Sequence, residues 1–331
     1  MEERVLGATG REVSVVGLGT WQLGADWGEV DESQARGVLE AAVDAGVTFF
    51  DTADVYGDGR SESIIGAFLR AHAGPAVTVA TKMGRRVEQV PENYHLEAFR
   101  AWTDRSRENL EVARLDLVQL HCPPTVVHGD DAVFEALETL VDEGRIAAYG
   151  VSVETCDEAL AAMEHPGLAS VQIILNAFRR KPLERVLPTA AEKGVGIIAR
   201  VPLASGLLSG RYTHDTVFAP RDHRTYNRHG ESFDVGETFS GVDYDTGVDA
   251  AKDFSALAAE LGPAGATPAQ VALRWIVQQP GVTTVIPGAR NAEQARANAA
   301  AGELPELSEE LLVAVERLYD ERIRAQVHHR W

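Results

Sequence analysis

The chain has 331 residues, 45% hydrophobic and 24% charged, a composition that suits a globular protein with a full buried core. With 50 Asp and Glu against 31 Lys and Arg, the net charge is −19, which argues against nucleic acid and anionic membranes as partners. Only two cysteines, no apolar signal core at the start and no apolar run near membrane-spanning length make the cytoplasm the expected location.

Short β-branched runs alternate with amphipathic helical patterns along the chain. Strands are predicted at 13–19, 47–51, 76–82, 115–121, 147–152, 171–175, 195–201 and 283–288. Helices are predicted at 33–46, 61–72, 95–110, 132–143, 155–164, 183–193, 292–301 and 308–324, with an extra one at 268–278. Eight strand–helix units predict the α/β class and one (β/α)8 TIM barrel domain over 1–331. An N-terminal strand or hairpin would cap it, and a long loop would join strands seven and eight. A doubly wound sheet fits less well, because the glycines of 17–24 do not follow the GxGxxG order. The stretch 212–249 has little periodicity and reads either as a lid over the barrel mouth or as an insertion without a role.

In a barrel, polar residues at the C-terminal ends of strands gather at one mouth. Asp51 ends the second strand, Lys82 the third, His121 the fourth, Ser152 the fifth and Arg200 the seventh, and Gln172 lies within the sixth. Strands about 4.8 Å apart bring Asp51, Lys82 and His121 side by side. Tyr56, on the loop after Asp51, folds back over them. A nearby ammonium favours a phenolate, a carboxylate keeps that lysine charged, and a histidine hydrogen-bonds a carbonyl oxygen. The set suits protonation of a carbonyl oxygen while a hydride attacks its carbon. Each residue also has a plainer reading: Asp51 as a turn cap, Tyr56 as a rim residue, Lys82 as a solvated charge. The pair His121–Cys122 lacks a second His/Cys set at zinc spacing, so no metal is expected.

The segments LGTWQLG, FFDTADVYG, VTVATK, DLVQLH, YGVS, Gln172, VPLASGLLSGRY and VIPGARNAEQARAN together resemble the aldo-keto reductase superfamily, in its bacterial NADP-dependent form, over nearly the whole chain. The resemblance implies an oxidoreductase with the catalytic tetrad Asp51, Tyr56, Lys82 and His121, Tyr56 being the general acid. It implies NADPH bound across the mouth. Gly19, Thr20 and Trp21 would lie in the loop after the first strand, with Ser152 and Gln172 at the carboxamide and Arg200 beneath the nicotinamide. Pro202, Leu203, Ser205, Gly206, Leu207, Ser209 and Arg211 would cover the pyrophosphate. Gly288, Arg290, Gln294 and Asn298 would take the phosphate and adenine end, with Arg290 on the 2′-phosphate.

The chain departs from the family pattern in three places. Val153 stands where asparagine is common, Arg200 where an aromatic ring usually stacks on the nicotinamide, and Gly288 where a lysine is frequent. For Trp21, packing and substrate contact remain equally open. The expected partner is a small carbonyl compound, and the expected assembly a monomer or small homo-oligomer. Two alternatives stand beside the reductase: a nucleotide-sensing regulatory subunit on the same fold, and a barrel isomerase or lyase acting on a phosphorylated sugar.

Overall fold

The structure is a computed structural model that describes residues 1–24, 31–74, 76–220 and 222–331. It opens with a hairpin, β1 (Glu3–Val5) antiparallel to β2 (Glu12–Ser14). Eight parallel strands follow: β3 (Leu18–Gly19), β4 (Phe49–Asp51), β5 (Thr78–Met83), β6 (Leu117–His121), β7 (Tyr149–Ser152), β8 (Ser170–Ile174), β9 (Gly196–Arg200) and β10 (Val282–Val285). They pair in sequence order, and parallel bridges Val16–Val285 and Gly19–Gly288 join the first to the last. The sheet is therefore a closed (β/α)8 barrel.

The strand predicted at 13–19 is two strands with a bend between them. Ser14 makes the corner: its hydroxyl donates to Val16 O at 2.8 Å and accepts from the Thr48 amide at 3.0 Å. The hairpin thus folds across the barrel floor before the chain enters the sheet.

The core has two parts. A large one lies between strands and outer helices and includes Val38, Phe50, Phe99, Leu137, Ile173 and Trp275. A small one fills the floor of the barrel with Phe49, Ala80, Leu117, Ile198 and Ile286, plugged from below by Leu6 and Val13 of the hairpin. Side chains alternate along a strand, so two residues beyond each floor position the next inward side chain appears. Phe49 leads to Asp51, Ala80 to Lys82, Leu117 to Gln119 and then His121, and Ile198 to Arg200. Each fully buried Leu or Phe of the floor contributes about 1.5–3 kcal/mol, which helps support a polar mouth that costs stability to bury.

Around the sheet run α1 (Glu32–Asp44), α2 (Arg60–Ala71), α3 (Leu96–Leu110), α4 (Asp131–Asp142), α5 (Cys156–Ala162), α6 (Val186–Lys193), α7 (His223–Tyr226), α8 (Tyr244–Leu261), α9 (Pro268–Val277), α10 (Ala292–Ala300), α11 (Glu309–Leu318) and α12 (Arg324–Val327). Several starts carry side-chain caps: Asp31 for α1, and Thr155 with Glu158 for α5 and Thr267 with Gln270 for α9 as reciprocal capping boxes, whereas α2 begins at Gly59 with no side-chain cap and takes Ser61 into its first turn. Among the described residues, no helix is long and apolar enough to cross a membrane.

Two stretches differ from the sequence expectation. The 212–249 segment is neither featureless nor uniformly exposed: it holds α7, two short 3₁₀ turns (Val235–Glu237 and Phe239–Gly241) and the start of α8, and buries Asp222, His223, Asn227, Glu237, Thr238 and Phe239. Helix α8 escapes the periodicity because its buried side includes Gly247 and several alanines, which give a weak apolar stripe. The helix predicted at 308–324 loosens into a π-turn at Tyr319–Ile323, after which the tail folds inward. His328 of the tail is tied down, its ring meeting Tyr319 Oη at 2.9 Å and Glu184 at 3.0 Å. Trp331, the last residue, is buried with its indole 3.7 Å from the Arg179 guanidinium.

Candidate active site

Asp51, Lys82 and His121 come together at the mouth as the strand register dictates. Lys82 Nζ donates to Asp51 Oδ1 at 2.5 Å, to Thr52 O at 2.9 Å and to Tyr56 Oη at 3.4 Å, and both charged partners are essentially sealed from solvent. The second Asp51 oxygen accepts from Gln172 at 2.7 Å and lies 3.4 Å from Gln119 Nε2. The buried charges are thus paired and hydrogen-bonded, the condition under which burial is tolerable. Tyr56 is half-buried. Its ring stacks on Trp21 (6.1 Å between centroids) and meets His121 edge-on (6.0 Å). The loop that carries it turns at Gly57 (φ 59°), where a Cβ would come within 2.4 Å of Gly24 O, so only glycine lets the two loops touch.

The electrostatics favour a proton donor. Burial penalises the Tyr56 phenolate more than Lys82 stabilises it, and Asp51 adds to the penalty, so the phenol stays above its ordinary value. This reverses the expected lowering by Lys82. Burial works against the Lys82 ammonium, yet Asp51 and Tyr56 hold its pKa above the usual lysine value. Burial, helped by Arg85, Lys82 and Arg200, depresses His121 far below the normal imidazole range, so the ring is neutral. Its Nδ1 is enclosed without a hydrogen-bond partner.

A second ionic group at the same mouth was not legible beforehand, apart from Arg200. Arg85, just beyond β5, and Arg200, ending β9, are joined by Glu154, just beyond β7, and Glu237, from the 3₁₀ turn of the long β9–β10 connection. Arg85 Nη2 lies 3.2 Å from Glu154 Oε1 and 2.9 Å from Glu237 Oε1. Arg200 Nη2 is 2.9 Å from Glu154 Oε2, and its Nη1 3.5 Å from Glu237 Oε2. Arg200 Nη2 also donates to Val153 O at 3.0 Å and touches Cys122 Sγ at 3.7 Å, beside His121. Burial opposes ionisation of Glu237, but Arg85 and Arg200 bring it down to about 2. Glu154 is held above the ordinary carboxylate range, chiefly by burial. Glu154, Glu237 and Cys122 approach one another within 4.8 Å, as metal ligands would. The guanidiniums already occupy both carboxylates, however, and burial pushes the Cys122 thiol up to about 12.

The remaining predicted residues fall in three places. Thr20 lies under Asp51, with both its amide (2.9 Å) and hydroxyl (2.8 Å) donating to Asp51 O, and the Gly19 amide donates to Pro287 O at 3.0 Å. Trp21 also contacts His223 (5.1 Å) and Phe233 (5.9 Å), so it packs beneath the long connection. Ser152 Oγ sits 3.4 Å from Cys122 Sγ, while Gln172 commits its amide nitrogen to Asp51.

Pro202, Leu203, Ser205, Gly206, Leu207 and Ser209 form a loop and tight 3₁₀ turn, with Ser205 (φ 55°) and Gly206 (φ 99°) left-handed, and Arg211 follows on the surface. Ser205 Oγ fastens the turn to the long connection by donating to Glu237 O and accepting from the Phe239 amide, both at 3.0 Å. Across the mouth, Asn298 Nδ2 donates to Gly288 O (3.1 Å), and Gln294 Oε1 accepts from the Arg290 amide (2.9 Å). The Arg290 guanidinium reaches out at the start of α10, 3.7 Å from Asp222, whose carboxylate Arg224 also holds. An exposed guanidinium, two carboxamides and a helix N-terminus beside a left-handed turn are a donor set that suits a phosphate-bearing dinucleotide.

The chain matches the model of the "Aldo/keto reductase family" over residues 15–320. It is 30% identical over 301 residues to the aldo-keto reductase YhdN of Bacillus subtilis, covering 90% of this chain and 87% of that protein. In structure it is similar to the glycerol dehydrogenase AKR11B4 from Gluconobacter oxydans (TM-score 0.78, 28% identity, 97% of this chain and 95% of that one). It is also similar to an aldo-keto reductase from Klebsiella pneumoniae in complex with NADPH (TM-score 0.71, 26% identity, 96% of each chain).

Proposed function

The chain belongs to the aldo/keto reductase family, and from that premise we propose that it is an NADPH-dependent reductase of aldehydes or ketones. The observation that carries the reading is the buried Lys82–Asp51 pair 3.4 Å from the Tyr56 hydroxyl, beside a neutral His121. NADPH, which the Klebsiella pneumoniae relative holds, supplies the hydride when bound. Arg290, Gln294 and Asn298 would hold its phosphate and adenine end, and the turn at 204–209 its pyrophosphate. Ser152 and the Gln172 oxygen would orient its carboxamide.

The residues of the chain do the acid chemistry. His121, uncharged, donates a hydrogen bond to the substrate oxygen and holds it against Tyr56. The Tyr56 phenol remains protonated until negative charge develops on that oxygen, then gives up its proton. Lys82 stabilises the phenolate that results, and Asp51 keeps Lys82 charged and fixed. Trp21 and the long connection exclude water from one side. Mixing the protein with NADPH and a panel of sugars, aliphatic aldehydes, aromatic aldehydes and diketones tests the reading. Oxidation of NADPH at 340 nm with at least one class is expected; neither binding nor oxidation with any of them would sink it.

A further inference from the structure

Arg85, Glu154, Arg200 and Glu237 form a closed ring. Each carboxylate bridges both guanidiniums, and all four carboxylate oxygens are used, at 2.9–3.5 Å. The ring stands at the reaction centre: Arg200 touches Cys122, the residue after His121, and Glu154 follows two residues after Ser152, which lies in register with His121. The charges of Arg85 and Glu237 are felt at Tyr56, and those of Arg85 and Arg200 at His121. Three of its members come from barrel strand ends or the residues just beyond them. Glu237 alone comes from the long connection, and its carboxylate lies between the two arginines, 2.9 Å from Arg85 Nη2 and 3.5 Å from Arg200 Nη1.

We propose that Glu237 is a specificity-determining residue: by closing the ring it takes up the mouth's positive charge, so that the enzyme accepts neutral carbonyl compounds and rejects those that carry a carboxylate. The inference rests on the reductase reading and names its substrate class. Two cations and two anions leave the ring neutral. A third carboxylate at this buried position finds both ring guanidiniums already paired, while the neighbouring Arg179 gives its Nη2 to Glu154 O and its face to Trp331, so the newcomer adds negative charge beside two buried carboxylates, which is costly away from water. The net charge of −19 repels an anion over longer range as well. Arg200 Nε is buried without a partner; a single N–H donor of this kind suits a neutral oxygen. Removing the charge of Glu237 leaves the two arginines with one carboxylate between them and opens a site for an anion.

The test uses two aldehydes of matched shape, 4-formylbenzamide and 4-formylbenzoate, with binding to the full chain read by calorimetry and NADPH-dependent reduction read separately. For the wild type, the amide should bind at least about tenfold more tightly than the carboxylate, the factor that corresponds to ~1.4 kcal/mol. E237Q should narrow that ratio by about tenfold or reverse it. E237D, which keeps the charge, should restore most of the discrimination and shows that charge rather than loss of the turn is responsible. Equal binding of the two aldehydes by the wild type, binding of neither, or an unchanged ratio in E237Q overturns the proposal. If E237Q does not fold, the wild-type ratio decides alone. Intact discrimination in binding without reduction of either aldehyde would instead sink the reductase reading and uphold this one.

Discussion

The barrel mouth holds two groups of ionisable side chains that are assembled on different principles. In the tetrad, Asp51, Lys82 and His121 occupy inward positions of adjacent strands, so backbone hydrogen bonds of the sheet set their spacing. In the arginine–glutamate ring only Arg200 ends a strand; Arg85 and Glu154 stand on loops and Glu237 on a remote connection, so ion pairs across those loops bring the four together. The tetrad leaves Tyr56 Oη near a charged lysine, whereas the ring spends all its charges on itself. A group built on the sheet is fit for chemistry that needs fixed distances; a group built across loops fits closure and selection. Mutations should separate the two, the first governing turnover and the second stability and substrate choice.

The largest effect is expected for Tyr56→Phe, which removes the proton donor but little packing. Turnover should fall by roughly 10²–10⁴-fold, with NADPH binding and thermal stability near wild type; loss of cofactor binding as well would make Tyr56 a structural residue and blur the contrast. Arg85→Met attacks the ring and leaves two buried carboxylates sharing one guanidinium. It should lower unfolding free energy by about 3–5 kcal/mol, measured in urea, and Arg85→Met with Glu237→Leu should recover part of that. If Arg85→Met instead reduced turnover as Tyr56→Phe does with no loss of stability, the division of labour would be wrong.

Asp54, two residues before Tyr56, sharpens the comparison through pH. It is buried with Oδ1 unpartnered, and burial, with Glu62 adding, pushes its carboxyl up to about 7. The folded state then binds this proton more tightly than the unfolded chain, whose carboxyl titrates near 3.9. The stability it contributes is present at low pH and is lost as pH rises from about 4 through about 7. Asp54→Asn should remove that slope and raise stability at pH 8 by on the order of 4 kcal/mol relative to wild type. Melting curves from pH 4 to 8 that stay parallel in the two proteins would contradict this. The smallest effect is expected at Arg290, outside both groups. Arg290→Ala should weaken NADPH by about 10–100-fold, the range for one charge-assisted contact, and NADH far less. Equal losses for both cofactors would remove Arg290 from the 2′-phosphate.

Strand-bound features were readable because geometry converts position into place. Once 47–51, 76–82 and 115–121 are recognised as neighbouring parallel strands, the period of two and the 4.8 Å spacing put Asp51, Lys82 and His121 together. The ordered turns of the long connection were not readable, because their stability comes from contacts made elsewhere. Asn227 is held by Thr238, Ser205 by Glu237 and Phe239, and Gly236 leaves room for Arg179, whose Nη1 a Cβ would meet at 2.1 Å. The direction of the Tyr56 shift was also missed, since the lysine beside it was visible in sequence and its degree of burial was not.

Composition, period and strand order in the sequence determined an α/β barrel and put Asp51, Lys82 and His121 at neighbouring strand ends, and the last two singled out Tyr56 on the loop between. These are local patterns, repeated at fixed intervals, and need no knowledge of distant partners. Only the tertiary structure decided that Glu237 reaches Arg85 across 152 residues, that Trp331 ends against Arg179, and that Gln172 holds Asp51 across the barrel. An ion pair or stacked ring between remote segments leaves no periodic trace in the chain. It exists because folding removes both partners from water, where each charge or ring must find the other.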